Sequence, residues 1–171
     1  MTHPVVAFTS RYGSTRRYAT ALGERLGTTA VELADLGTAP DADPVIVLAP
    51  LYATRILGRR RIIRAVRSSS GRAALVVVGL SPADDPARGD LTARLVAATG
   101  RPVATFHLRG DLEPAGLGWS DRALLAVLRR RLRAAPDEPM SRLLLPGGRV
   151  GLTDPAGLDP IVAWALDTPG P

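Results

Sequence analysis

Three stretches of this chain, Pro4-Val-Val-Ala-Phe-Thr9, Pro44-Val-Ile-Val-Leu-Ala49 and Ala73-Ala-Leu-Val-Val-Val-Gly-Leu80, are apolar at nearly every position. A strand with one face in water alternates polar and apolar residues. A strand that is apolar throughout belongs in a sheet covered on both faces, and such sheets are parallel. Two weaker runs, Ala30 to Leu36 and Pro102 to Leu108, bring the strands to five. Amphipathic helical stretches fall between and after them, at about Thr15 to Leu26, Gly58 to Ser69, Pro86 to Thr99, Ser120 to Ala134 and Pro155 to Leu166. The expectation is an α/β fold, a doubly wound sheet of five parallel strands with helices on both faces, in one domain over residues 1–171. Two segments rich in Pro and Gly, Arg109 to Gly118 and Ala135 to Gly148, are expected as long loops of that domain. Doubly wound sheets bind ligands beyond the carboxyl ends of their strands, which points to the loops after Phe8, Ala49 and Leu80.

Composition narrows the chemistry. With no cysteine, disulfides, thiolate metal sites and cysteine nucleophiles are excluded together, so redox chemistry requires a bound cofactor. No window of about 18 uncharged apolar residues occurs, and the start MTHPVVAF is no signal segment, so the protein is expected in the cytoplasm. The formal charge is +6, and all 22 cationic residues are arginine. Such a charge suits nucleic acid or an anionic membrane. No zinc-finger spacing, aromatic RNA-binding strand or recognition helix accompanies the arginines, so nucleic acid is not expected as a partner.

The first loop, Thr9-Ser10-Arg11-Tyr12-Gly13-Ser14-Thr15, runs straight into a helix. Hydroxyls and unpaired backbone N–H groups therefore gather at a helix N-terminus, where a phosphate gains the dipole, the donors and close approach at Gly13. A helix cap at Ser14 or Thr15 is the simpler alternative. A P-loop would need lysine, and a dinucleotide fingerprint three spaced glycines, so a mononucleotide fits better. The second loop, Pro50-Leu51-Tyr52-Ala53-Thr54, carries Tyr52, a stacking candidate in a chain that is only 4% aromatic, or else a core residue at a strand end. The third, Gly79-Leu80-Ser81, offers backbone contacts alone.

Ser10-Arg-Tyr-Gly-Ser-Thr15 resembles the flavodoxin phosphate loop, Ser/Thr-x-Thr-Gly-x-Thr, with Tyr12 in place of one threonine. The resemblance implies a flavodoxin-like strand order 2-1-3-4-5, FMN as cofactor, and Thr9 to Thr15, Pro50 to Thr54 and Gly79 to Ser81 as its binding residues. Phe106-His-Leu-Arg-Gly-Asp-Leu-Glu-Pro-Ala-Gly-Leu117, Trp119-Ser-Asp-Arg and Gly148-Arg-Val-Gly-Leu-Thr-Asp-Pro155 resemble a narrower group, the menaquinone-dependent protoporphyrinogen oxidases and their flavodoxin-domain relatives. That likeness implies an oxidoreductase with a porphyrinogen substrate, a quinone or other redox partner, and peripheral contact with an anionic membrane. A flavodoxin-type electron carrier or quinone reductase, and an FMN-less interaction module, are the alternatives. Arg11 and Arg55 are expected near the ligand. The helix with Arg59-Arg-Arg61, Arg64 and Arg67 is either a basic docking face or an ordinary solvated one.

No catalytic side chain and no metal site are predicted. His107 has no carboxylate or second histidine at a useful spacing, and Asp84-Asp85 and Asp137-Glu138 are explained by turns beside prolines.

Overall fold

The computed structural model describes residues 3–39, 41–52 and 54–167. Its strands are β1 (His3–Phe8), β2 (Val31–Glu32), β3 (Ala42–Tyr52), β4 (Arg55–Ile56), β5 (Ala73–Gly79) and β6 (Ala104–Arg109). Its helices are α1 (Ser14–Arg25), α2 (Arg59–Ser68), α3 (Pro86–Thr99), α4 (Trp119–Leu132), α5 (Pro139–Leu144) and α6 (Asp159–Leu166). The sheet order is β2-β1-β3-β5-β6 with every neighbouring pair parallel, the expected doubly wound order. The sixth strand, β4, is two residues long and folds back antiparallel on the end of β3.

Successive side chains of a strand point to opposite faces, so continuous apolar runs supply two cores at once. Val6, Phe8, Ile46, Leu48, Val76 and Val78 meet Tyr18, Ala19 and Leu22 of α1 and Ile161 and Ala165 of α6. On the other face Ala7, Val45, Val47, Leu75 and Val77 meet Ile62, Ala65 and Val66 of α2 and Leu95 of α3. Each such valine, leucine, isoleucine or phenylalanine contributes about 1.5–3 kcal/mol on burial, so the five parallel strands carry most of the packing.

Several boundaries differ from expectation. Of Ala30 to Leu36 only Val31 and Glu32 pair with β1, because the edge strand turns away at once, with the N–H groups of Asp35 and Leu36 donating to Glu32 C=O. β3 runs through Tyr52, so Pro50, Leu51 and Tyr52 are strand residues rather than loop. The last helix starts at Asp159 after a separate 3-10 turn, Pro155–Leu158, since Pro160 has no N–H with which to continue a helix from that turn.

The largest correction concerns the two long loops. Arg109 to Gly118 contains a 3-10 turn at Pro114–Gly116, and Ala135 to Gly148 contains α5. With α4 they build a third core outside the sheet, from Leu112, Leu117, Leu125, Leu144 and Val150. Leu112 and Val150 close it with reciprocal backbone hydrogen bonds of 2.8 and 2.9 Å. This cap stands over the carboxyl ends of the strands.

Candidate functional site

A cavity of about 370 Å³ lies between the strand ends and the cap. Of the residues expected to bind cofactor, Arg11, Tyr12, Ser14, Thr15, Pro50, Leu51, Tyr52, Thr54, Gly79 and Leu80 line it. Three separate chain segments therefore converge on one space, as the switch-point rule requires. Thr9, Ser10, Gly13 and Ser81 do not line it, and Ala53 lies outside the described residues. Each of those four has another task or place. Thr9 extends β1, its N–H donating to Leu48 C=O at 3.0 Å. Ser10 shapes the loop from within, its hydroxyl accepting the Gly13 N–H at 3.2 Å. Gly13 takes φ +92°, a left-handed conformation that side chains strain to adopt, while the nearest atom to a Cβ there would be 3.9 Å away. Backbone conformation, not close approach, requires glycine at this position. Ser81 is buried, and its C=O accepts from Arg88.

The first bond of α1 runs from the Arg17 N–H to Gly13 C=O at 2.9 Å. The N–H groups of Ser14, Thr15 and Arg16 consequently have no intrahelical acceptor, and Thr15 is buried against the cavity. Ser14 is already occupied: its hydroxyl accepts the Asp111 N–H at 3.0 Å and ties α1 to the end of β6. This donor set suits a phosphate, whose oxygens accept several backbone N–H bonds at a helix N-terminus. The rest of the cavity is apolar, with Leu112, Leu117, Leu124 and Leu128 among its walls, and suits a flat ring. The residues present thus fit FMN.

Asp121 is the third residue of α4. It is nearly buried, and its carboxylate joins the cap to both ligand-facing segments. Arg11 Nη2 donates to both oxygens at 2.9 Å, and the hydroxyls of Tyr12 and Tyr52 also donate to it. The Arg11 guanidinium lies 4.4 Å from the centre of the Tyr52 ring. Its hydrogen bond to Asp121 raises the Arg11 pKa above the ordinary arginine value, so the group is a fixed cation beside the Asp121 carboxylate. Of the two arginines expected near the ligand, Arg11 therefore has its charge largely matched, and Arg55 is exposed on β4. A lone aspartate between Ser120 and an arginine in an amphipathic helix gives no sequence signal of this role. Only the packing of α4 over the strand ends brings it to the loop.

The side residues behave as turns and packing predict. Asp85 caps α3, accepting the Ala87 N–H at 3.0 Å. His107 contacts Thr92 Oγ1 at 3.1 Å and Ala83 C=O at 2.8 Å. On α2, Ile62 and Val66 are buried while Arg59, Arg60, Arg61 and Arg64 are exposed on the sheet's flank, away from the cavity lining. Among the described residues, no group of three or more acidic or histidine side chains is placed to hold a metal, and no helix is long and apolar enough to cross a membrane.

The flavodoxin domain model matches residues 5–138, from β1 through α4. The chain belongs to the flavodoxin domain family. Among solved structures, this flavodoxin domain is similar to a candidate flavoprotein from Bacteroides uniformis, at 16% identity and a TM-score of 0.45 over 64% of this chain and 91% of that one. No curated protein matches the chain.

Proposed function

We propose that this flavodoxin domain holds FMN with its phosphate at the N-terminus of α1 and its ring in the apolar part of the cavity, and oxidises an organic substrate beside that ring. The observation that carries the reading is the shared space. Unsatisfied N–H groups of Ser14, Thr15 and Arg16 open on the cavity that Tyr52, Gly79 and Leu80 bound. Thr15 and the loop N–H groups would hold phosphate, with Arg11 shared between it and Asp121. Tyr52 would stack on the ring, and the backbone of Gly79 and Leu80 would meet its other side.

Bound FMN supplies reversible two-electron transfer; no side chain need act as a nucleophile. The chain's own contribution is orientation and exclusion of water. Asp121 fixes the rotamers of Tyr12 and Tyr52 through their hydroxyls, and Leu117, Leu124 and Leu128 keep the space dry.

The α4 wall favours a small-molecule substrate over simple electron carriage. A carrier exposes its ring to a protein partner, whereas here an apolar helix face lies over the strand ends, with Arg131 among the lining residues. A carboxylate-bearing porphyrinogen oxidised at the expense of a quinone fits those walls. Trp119, 84% exposed at the start of α4, and the exposed Arg122 and Arg130 would suit peripheral contact with an anionic membrane at the cytoplasmic side.

Flavin fluorescence quenching tests the core of the reading: FMN should bind far more tightly than riboflavin, which lacks the phosphate. Equal affinity would refute a phosphate-anchored site. One observation favours a second reading, an FMN-less interaction module, because Asp121 already satisfies Arg11, Tyr12 and Tyr52. A purified protein that is colourless and takes up no added FMN would select it.

A further inference from the structure

Beneath the cavity floor lies a charge that the proposed chemistry has not used. Arg88 of α3 is 1% exposed, and its guanidinium reaches the carboxyl ends of β5 and β6. Nη1 donates to Ser81 C=O at 2.9 Å, and Nη2 donates to Leu108 C=O at 2.5 Å and to Val77 C=O. Nε is buried with no partner. No carboxylate lies within ion-pair distance of Arg88 among the described residues; Asp85 is engaged in capping α3 and Asp90, two residues on, makes no ion pair with it. Arg109 adds a second cation nearby, its guanidinium donating to Leu80 C=O at 3.0 and 3.3 Å.

Burial pushes the Arg88 pKa down to about 10, with Asp85 opposing and Arg109 assisting, so the group remains charged at neutral pH. Its distance from the cavity is short. Gly79 lines the cavity, and a Cβ built on Gly79 would lie 3.7 Å from Arg88 Cζ. One backbone layer therefore separates an unpaired buried cation from the occupant of the site. Hydrogen bonding to carbonyls alone does not require a charge, since a neutral amide also donates, and burying a cation without a counter-ion is costly. An anion in the cavity would supply the missing partner through space, in a medium where screening is weak.

We propose that Arg88 is a redox-tuning residue that makes the cavity bind the reduced, anionic form of the flavin in preference to the neutral oxidised form. The inference rests on the FMN reading above. On reduction the ring takes up two electrons from the reductant and one proton from solvent, and so passes from neutral to a single negative charge. Arg88 touches neither ring nor substrate; it acts by its field across Gly79, and differs in this from Arg11, whose charge Asp121 already matches.

The test uses the full chain with Arg88→Met, Arg88→Gln and Arg88→Lys, titrated with oxidised FMN and then poised spectroelectrochemically with dithionite as reductant. All should bind oxidised FMN within about threefold of the parent, as the α1 loop is untouched. The Met and Gln variants should lose about tenfold in affinity for reduced FMN, which lowers the two-electron midpoint by about 30 mV. Lys should restore most of it. The shift should be the same at about 0.05 M and about 0.5 M salt, because a buried charge escapes screening. Should Met fail to fold, Gln, which keeps an amide donor without the charge, carries the comparison. Parent-like FMN binding with an unchanged midpoint, or a shift that collapses at high salt, overturns the proposal while leaving the FMN reading intact. A parent that binds no FMN overturns both.

Discussion

The sheet body and the cap are built to different standards. In the body, Val45, Ile46, Val47 and Leu48 of β3 are fully buried between two helix pairs. In the cap, Leu125 of α4 is buried while Leu124, Val127 and Leu128 of the same helix remain exposed and line the cavity. The body satisfies its own apolar surface. The cap does so only partly, and an occupant of the cavity would complete it. The α1 terminus proposed to hold phosphate thus stands on the sheet body and the apolar wall on the cap, the division expected if a fixed cofactor meets an exchangeable substrate.

The largest effects should separate the two units. Leu48→Ala should cost about 2–5 kcal/mol of global stability in urea unfolding. Leu125→Ala should instead speed amide hydrogen exchange in α4 and α5 while the exchange of β3 and β5 stays near parent; a uniform change across both units would mean that body and cap unfold as one. Next, Gly13→Val should weaken FMN by roughly 1–3 kcal/mol, because the loop must leave φ +92° or carry the strain, with the fold retained. Fluorescence titration checks it, and parent-like affinity would detach the flavin from this loop.

Asp121→Asn should loosen the junction by roughly 1–3 kcal/mol, because it weakens charge-assisted bonds from Arg11 and the two tyrosines. The reading is faster exchange in α4 with body amides unmoved. If α4 exchanges as in the parent, the cap is held by its leucines alone.

Acid should act through Asp111. Although desolvation raises its pKa, bonds from the Thr153 hydroxyl, the Thr153 and Leu152 N–H groups and Arg17 together hold it below the ordinary carboxylate value. Its folded pKa is depressed, so its contribution to stability is present above about pH 4 and is lost as pH falls through the folded value. Asp111→Asn should flatten this acid-side loss in urea midpoints measured from about pH 5 downward. The smallest effect is expected at Arg142, whose contact with Asp137 spans 3.7 Å on an exposed surface: Arg142→Ala should stay within about 0.5 kcal/mol.

The same division governs what the amino-acid sequence discloses. The body is legible because Val45 to Leu48 or Leu75 to Val77 can be satisfied only between two layers, and because hydroxyls beside Gly13 precede a helix. Strand order and the converging loops follow from those facts and from the flavodoxin likeness of Ser10 to Thr15. The cap is not legible. Met140, Leu143 and Leu144 form barely more than a helical turn, framed by Pro139 and Gly147, and acquire a reason to be helical only on meeting α4. Asp121 and Arg88 escape for the same cause: each looks like a surface charge on an amphipathic helix until the tertiary neighbours are known.

The bridge between Leu112 and Val150 makes everything between those residues a closed excursion that leaves and rejoins the body at one point. Asp111, with its bonds to Leu152 and Thr153, fastens that point from the body side. A chain organised in this way is a socket with an interchangeable fitting. Lengthening, replacing or reshaping the fitting would alter which molecules enter the cavity while the strands, the α1 loop and the charge under Gly79 stay as they are, so that, on the proposed FMN reading, substrate choice and redox character are free to evolve, or be engineered, one without the other.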